Sequence, residues 1–107
     1  MPRHISERYD EELEALRNSV LQMGGLVELQ LHTACEGLLQ RDPVRCQKVR
    51  DAEVEVNAME VAIDDRGTLL IARRSPTAGD LRLILTLLKA TTDLERVGDE
   101  AERVARM

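Results

Sequence analysis

The sequence predicts an all-α protein, an antiparallel up-down-up bundle of three long helices. Its 107 residues are 43% hydrophobic and 33% charged but only 1% aromatic, so strand-forming aromatic residues are scarce. Apolar residues recur at three- and four-residue steps in three stretches, which is the period of one helix face. Two breaks containing proline, at Pro43 and Pro76, separate these stretches. The length is that of a single domain, so residues 1–107 are expected to form one three-helix unit.

The first predicted helix follows a loose lead-in over residues 1–5. Ser6 is the expected N-cap, since its hydroxyl can accept a hydrogen bond from a free backbone N–H, and the helix ends near Gln40. Gly24, Gly25 and Gly37 interrupt it at about 1 kcal/mol each relative to Ala, which indicates a close approach by another helix or partner, or a simple bend. The predicted buried stripe consists of Leu13, Leu16, Val20, Met23, Val27, Leu31, Ala34 and Leu38.

The second predicted helix begins after a short turn. Asp42 is its expected N-cap, and Pro43 occupies the first helical position, where a missing N–H does no harm. The helix runs to about Arg74, whose charge suits the negative end of the helix dipole. Its predicted buried stripe consists of Val49, Ala52, Val56, Met59, Ile63, Gly67 and Leu70.

The third predicted helix begins after Pro76, which cannot continue the preceding helix and moves Ser75 out of the α region. Thr77 followed three residues later by Asp80 matches the capping-box pattern. The predicted buried stripe consists of Leu81, Ile84, Leu88, Thr91, Gly98, Ala101 and Ala105.

Several classes of protein are disfavoured by composition. The net charge is -5, with acidic and basic residues mixed, whereas a nucleic-acid-binding protein usually carries a basic face. No apolar run reaches the roughly 18 residues that span a bilayer, so direct membrane insertion is not expected. Cys35 and Cys46 are interpreted as free, half-buried thiols of a cytosolic protein, although they could approach each other across the first hairpin.

Catalytic signatures are lacking in the sequence. There is no Ser/His/Asp or Cys/His set, no glycine-rich phosphate loop and no zinc spacing. A di-iron oxidase would need Glu-x-x-His on two helices, and neither His4 nor His32 completes that motif. The protein is therefore not expected to be an enzyme.

Two carboxylates of the third helix, Glu95 and Asp99, are four residues apart and lie on one side, next to the apolar stripe. Like charges at this spacing repel by a few tenths of a kcal/mol, so cations should sit nearby. Those cations could be the side chains of Arg96 and Arg103 on a solvated face, or a bound metal ion.

Counting along the helices places a third carboxylate at the same height. Glu28 lies as far after Ser6 as Asp99 lies after Thr77, and the first and third helices are parallel. Counting back by the same distance from the end of the antiparallel second helix reaches the neighbourhood of Asp51 and Glu55. An oxygen-rich cluster suits hard or borderline cations, so Glu95, Asp99 and Glu28 are predicted to bind a divalent or trivalent metal ion such as iron, zinc, manganese or magnesium. The alternative is a chance alignment among 20 acidic residues.

A second candidate site lies at the start of the third helix. Asp80 and Arg82, with Arg73 and Arg74 nearby, could bind an anion or a partner carboxylate next to the helix N-terminus. The alternative is that Asp80 caps the helix and the arginines are solvated.

Three segments together resemble the PhoU family of phosphate-uptake regulators. They are residues 23–28 (MGGLVE), residues 75–82 (SPTAGDLR) and residues 93–99 (DLERVGD), in the order and spacing of that family. The resemblance implies three-helix bundles, usually two tandem repeats in one chain, and metal clusters bound through acidic pairs such as Glu95-x-x-x-Asp99. It also implies a cytoplasmic adaptor at the inner face of the membrane, which couples a phosphate ABC transporter to a sensor histidine kinase and represses the phosphate-starvation response.

The chain departs from the family pattern in two ways. It contains one repeat, so it is a one-repeat member, a fragment, or half of a homodimer that restores the double bundle. Family members often carry Asn where this chain has Arg103, which could neutralise Asp99 and weaken metal binding. Three functions are therefore weighed: the phosphate-responsive regulatory adaptor, a structural helical oligomerisation module without metal, and, ranked last, an enzyme using a carboxylate-bound metal.

Overall fold

The computed structural model describes the backbone of residues 2–107 and the side chains of residues 7–107. It contains three α-helices, α1 (Pro2–Gln40), α2 (Pro43–Arg74) and α3 (Ala78–Arg106). Each helix packs against the other two, and the bundle measures 58 × 20 × 16 Å. The predicted all-α three-helix bundle is confirmed, and the described residues include no strand.

Contacts between helix ends show the up-down-up order. The Arg74 guanidinium at the end of α2 bonds the Glu12 carboxylate near the start of α1, at 2.8 Å. The Tyr9 hydroxyl of α1 donates to Asp80 Oδ2 at the start of α3, also at 2.8 Å. The helices α1 and α3 therefore run parallel, with α2 antiparallel to both.

The start of α1 differs from the sequence expectation. The helix begins at Pro2, so the predicted lead-in and the N-cap at Ser6 are wrong, while Met1 lies outside the described residues. A proline at the first helical position gives up only an N–H that has no partner within the helix. Pro2 is therefore a valid helix start that competes with the one at Ser6.

The two turns confirm the predicted caps. The Asp42 side chain accepts hydrogen bonds from the backbone N–H groups of Val44 and Arg45, and Pro43 occupies the first helical position. The Thr77 hydroxyl oxygen accepts from the Asp80 N–H at 3.4 Å. Because these caps are local, they fix where α2 and α3 begin.

The core follows most of the predicted stripes. The buried hydrophobic side chains are Leu16, Val20, Met23, Val27, Ala34, Val49, Val56, Ile63, Leu70, Ile84, Ala101 and Ala105. They form two clusters, a larger one containing Leu16 and Ile84 and a smaller one containing Ala34 and Ala101.

Two predicted core positions of α1 are wrong. Leu31 and Leu38 are 37% and 40% exposed, and the preceding residues Gln30 and Gly37 are buried in their place. The physical reason lies in α2, which offers a polar partner to Gln30 and approaches Gly37 closely. A β-carbon at Gly37 would lie 3.0 Å from Cys46 Sγ.

Other sequence expectations concern the thiols and the membrane. Cys35 and Cys46 are both free, and Cys46 is half-buried as predicted, but Cys35 is exposed. Of the three helices that the structure describes, none combines the length and the apolar composition needed to cross a bilayer.

Candidate metal site

Three carboxylates from two helices converge on one side of the bundle. One oxygen atom each of Glu53, Glu95 and Asp99 lies within 4.8 Å of the other two. Glu53 belongs to α2 and is buried, whereas Glu95 and Asp99 belong to α3 and are half-buried and exposed. The cluster therefore extends from the interior of the bundle to its surface.

The buried carboxylate is held by a side chain of α1. Gln30 Nε2 donates to Glu53 Oε2 at 2.8 Å and to the Val49 carbonyl oxygen at 3.2 Å. Gln30 is 2% exposed and Glu53 is 7% exposed. Along the chain this polar pair falls between the two hydrophobic clusters, since Val27 and Val56 belong to one and Ala34 and Val49 to the other.

The third helix makes room for this pair with a glycine. A β-carbon at Gly98 would lie 3.0 Å from Glu53 Oε2 and 3.1 Å from Gln30 Oε1. Because Gly98 stands between Glu95 and Asp99 in the sequence, one segment of α3 supplies both the space and two of the carboxylates. All three helices therefore contribute to the site.

Two oxygen atoms at this level lack a donor. Glu53 Oε1 and Gln30 Oε1 are buried and have no hydrogen-bond partner among the residues that the structure describes. Buried polar atoms are generally paired, so an unpaired acceptor calls for an explanation. Next to two more carboxylates, the partner that would suit these acceptors is a cation or a proton.

Two carboxylates of the cluster have raised pKa values, which also indicates a lack of nearby positive charge. Burial raises the pKa of Glu53 to about 7, and Asp99 and the charge of Glu95 act in the same direction, while the Gln30 hydrogen bond opposes them. Burial also raises the pKa of Glu95, with further contributions from Asp99 and Glu60. The ionised cluster is thus disfavoured without a compensating cation.

The donor set fits a hard or borderline metal ion. Carboxylate oxygens suit magnesium and manganese, and zinc and iron sites also accept them. Three carboxylates bring three negative charges, and the unpaired Glu53 Oε1 provides an acceptor already removed from water.

The cluster contains two of the three predicted ligands. Glu95 and Asp99 are brought together, but Glu28 is exposed and stands outside the group. Glu53 was not predicted from the sequence. Counting residues along the helices pointed instead to its exposed neighbours Asp51 and Glu55. The available signal was the buried stripe of α2, because Glu53 is one helical turn after Val49 and three residues before Val56.

Arg103 has its own partner. Its guanidinium pairs with Glu100 at 3.2 Å, and both side chains are exposed. Within the described residues no ion pair joins Arg103 to Asp99. Arg103, which could have neutralised Asp99, pairs with Glu100 instead.

A second acidic surface adjoins the cluster. Glu60, Asp64 and Asp65 of α2 line a cavity of about 250 Å³ together with Thr91 and Thr92 of α3. Glu60 and Asp64 repeat the four-residue spacing of the α3 pair, a signal that the sequence analysis did not use. The charge of Glu60 contributes to the raised pKa of Glu95, so the two surfaces are electrostatically coupled.

At the other predicted site, Asp80 and Arg74 are each bonded to a side chain of α1. The Asp80 carboxylate accepts a hydrogen bond from the Tyr9 hydroxyl. Burial raises the pKa of Tyr9 to about 12, and this hydrogen bond is the second largest cause. Arg82 is exposed, and Arg74 is engaged by Glu12. Asp80 therefore joins α3 to α1 as well as lying in the first turn of α3.

Comparisons with known proteins point to one family. A family model described as "PhoU domain" matches residues 20–107. The phosphate-specific transport system accessory protein PhoU homolog of Pseudomonas putida is 46% identical over 103 residues, covering 96% of this chain and 40% of the relative. The accessory protein PhoU of Escherichia coli strain K12 is 42% identical over 104 residues, covering 97% and 43%.

A solved structure is also similar. The crystal structure of PhoU from Pseudomonas aeruginosa superposes with a TM-score of 0.89 at 46% sequence identity, covering 92% of this chain and 47% of that one. The chain thus spans less than half the length of the curated relatives it matches.

Proposed function

Because the chain belongs to the PhoU family, we propose that it is an accessory protein of a phosphate-specific transport system and acts there as a regulatory adaptor. The observation that carries this proposal is the 42% to 46% identity, over nearly the whole chain, to proteins with that name. Residues 1–107 form one domain of this family in the proposal.

The adaptor is proposed to be a negative regulator. When phosphate is plentiful, it holds down phosphate uptake and the phosphate-starvation response by contacting the phosphate ABC transporter and a sensor histidine kinase. It works from the cytoplasmic side of the membrane through these partners, without inserting into the bilayer, binding nucleic acid or catalysing a reaction.

The carboxylate cluster is proposed to hold a divalent or trivalent metal ion. The ligands are Glu53, Glu95 and Asp99, and the supporting observation is the buried, unpaired Oε1 of Glu53 beside the other two. Glu28 is left out because its side chain is exposed and outside the cluster. A bound ion would supply the positive charge that lets all three carboxylates stay ionised.

The regulatory proposal is tested by deleting the gene from its host. We expect phosphate-starvation genes to be expressed in phosphate-rich medium after deletion, and tagged protein to capture the transporter's nucleotide-binding subunit or the sensor kinase. Normal repression in the deletion strain would count against negative regulation. Glu95→Gln combined with Asp99→Asn asks whether repression needs the metal, and Glu100→Gln, an exposed neighbour, is the matched control.

A second candidate is a structural oligomerisation module without metal. Exposed apolar side chains on α2 favour it, among them Val54, which is 71% exposed, and Val61. Both this module and the homodimer of the adaptor proposal require self-association. A strictly monomeric species in light scattering at working concentration would therefore exclude both.

A further inference from the structure

Gln30 is a polar residue in the apolar stripe of α1. Its neighbours in that stripe, Val27 and Ala34, are buried hydrophobic residues. The helix buries the Gln30 amide while Leu31, the next residue, remains 37% exposed. Adjacent residues of a helix point about 100° apart, so α1 is rotated about its axis in a way that buries an amide rather than the leucine next to it. Apolar burial alone does not account for this orientation.

The amide is only partly satisfied by its contacts. Gln30 Oε1 is buried without a partner among the described residues, and leaving an acceptor unpaired costs free energy. An apolar side chain of similar size would avoid that cost but would leave Glu53 Oε2 without its donor, so the presence of the amide is tied to this carboxylate. Residues that break a local rule in this way are commonly found at functional sites.

The contacts of the amide indicate what it does. One amide nitrogen bonds both the Val49 carbonyl oxygen and Glu53 Oε2, so the backbone of α2 fixes its direction and the amide in turn fixes the carboxylate. Glu53 is left with one oxygen held and the other, Oε1, without a partner. Gly98 closes the space from the α3 side.

We propose that Gln30 is a positioning residue of the metal site, which holds Glu53 in the orientation needed to bind the ion together with Glu95 and Asp99. This inference rests on the proposed metal binding of the cluster. Because Gln30 fixes the Glu53 side chain before the ion arrives, ion binding does not have to order it. Groups that orient a metal ligand typically change metal affinity by about 10–100-fold when they are removed.

The test measures Mn²⁺ binding by calorimetry for Gln30→Met, a change that keeps the length of the side chain and removes the amide. We expect the dissociation constant to rise by about 10–100-fold. Val27→Ala, one turn earlier on α1, is the matched control: it disturbs the buried core without touching Glu53 and should bind Mn²⁺ as the wild type does. Thermal unfolding of each variant shows that it is folded, and Gln30→Leu serves if Gln30→Met is not.

A double-mutant cycle separates positioning from a general loss of structure. In a Glu53→Gln background, Gln30→Met should cause no further loss of Mn²⁺ affinity, because the group through which it acts is no longer a charged ligand. Equal weakening in both backgrounds, or wild-type affinity of Gln30→Met, would overturn the positioning role alone. If the wild type binds no Mn²⁺, iron, zinc or magnesium, the proposed metal site fails and this inference fails with it.

Discussion

A β-carbon at Gly98 would lie 3.0 Å from Glu53 Oε2, so the backbone of α3 passes directly against the buried carboxylate of α2. That carboxylate cannot easily move aside, because Gln30 holds the same oxygen from α1. The glycine between Glu95 and Asp99 is therefore required by packing, and the acidic spacing and the glycine belong to one structural unit.

We expect Gly98→Ala to destabilise the protein. Alanine gains about 1 kcal/mol of helix propensity over glycine, but overpacking a buried site typically costs about 1–3 kcal/mol. Here the crowded atoms are a fixed carboxylate and an amide, so the cost should prevail. Urea denaturation checks this against Gly25→Ala, an exposed position where a β-carbon meets nothing within 4 Å and which should be stabilised. Equal stability of the two variants would contradict the packing role of Gly98.

Glu53→Gln should change how stability depends on pH in metal-free protein. Burial raises the folded-state pKa of Glu53 from 4.5 to about 7, so the folded state holds this proton more tightly than the unfolded state. Its contribution to stability is complete below pH 4.5 and is lost as the pH rises to about 7.

Glutamine is neutral at every pH, so the variant lacks this loss. The free energy of unfolding of the variant minus that of the wild type should therefore be larger at pH 8 than at pH 5, by on the order of 1–3 kcal/mol. Denaturation at both pH values in the presence of a chelator measures the difference. A pH-independent difference between the two proteins would show that Glu53 titrates normally.

Metal ions should stabilise the folded protein through the carboxylate cluster. At a free concentration 100 times the dissociation constant, an ion that binds only the folded state adds about 2.7 kcal/mol to the free energy of unfolding. Thermal unfolding with and without Mn²⁺ measures the shift, which Glu95→Gln and Asp99→Asn should abolish. Glu28→Gln should keep the full shift, since Glu28 is exposed outside the cluster. Loss of the shift in this last variant would restore Glu28 as a ligand.

Tyr9→Phe should weaken the junction between α1 and α3. The variant loses the 2.8 Å hydrogen bond to Asp80, which is worth about 0.5–1.5 kcal/mol net. Chemical denaturation at neutral pH measures the loss. Asp80→Asn keeps an acceptor oxygen for the tyrosine and leaves the Thr77 cap intact, so it should be less destabilised. If Tyr9→Phe unfolds at the wild-type midpoint, the hydrogen bond contributes nothing.

Most of the fold was predictable because its signals are local. The starts of α2 and α3 are each marked by residues next to one another in the sequence, Asp42 with Pro43 and Pro76 with Thr77. The start of α1 was not predictable in this way, since Pro2 is an acceptable first residue and Ser6 is an acceptable N-cap.

The positions of the site residues along the bundle axis were predictable, but the directions in which their side chains point were not. Glu95 and Asp99 share one helix, so their spacing alone brings them together. Glu28 was chosen by its height, but a side chain's direction depends on how each helix is rotated about its axis. That rotation is set by tertiary contacts, here the bond between Gln30 and Glu53, which place Gln30 inside and Glu28 outside.

The polar level between the two hydrophobic clusters has a consequence for the alignment of the helices. Stripes made of Leu, Val and Ala alone tolerate sliding by a turn, because one apolar contact replaces another. If α2 slid by one turn, Glu53 would lie against apolar side chains and Gln30 would lose its acceptor, so that register is strongly disfavoured. The buried pair therefore favours a single longitudinal register of the three helices.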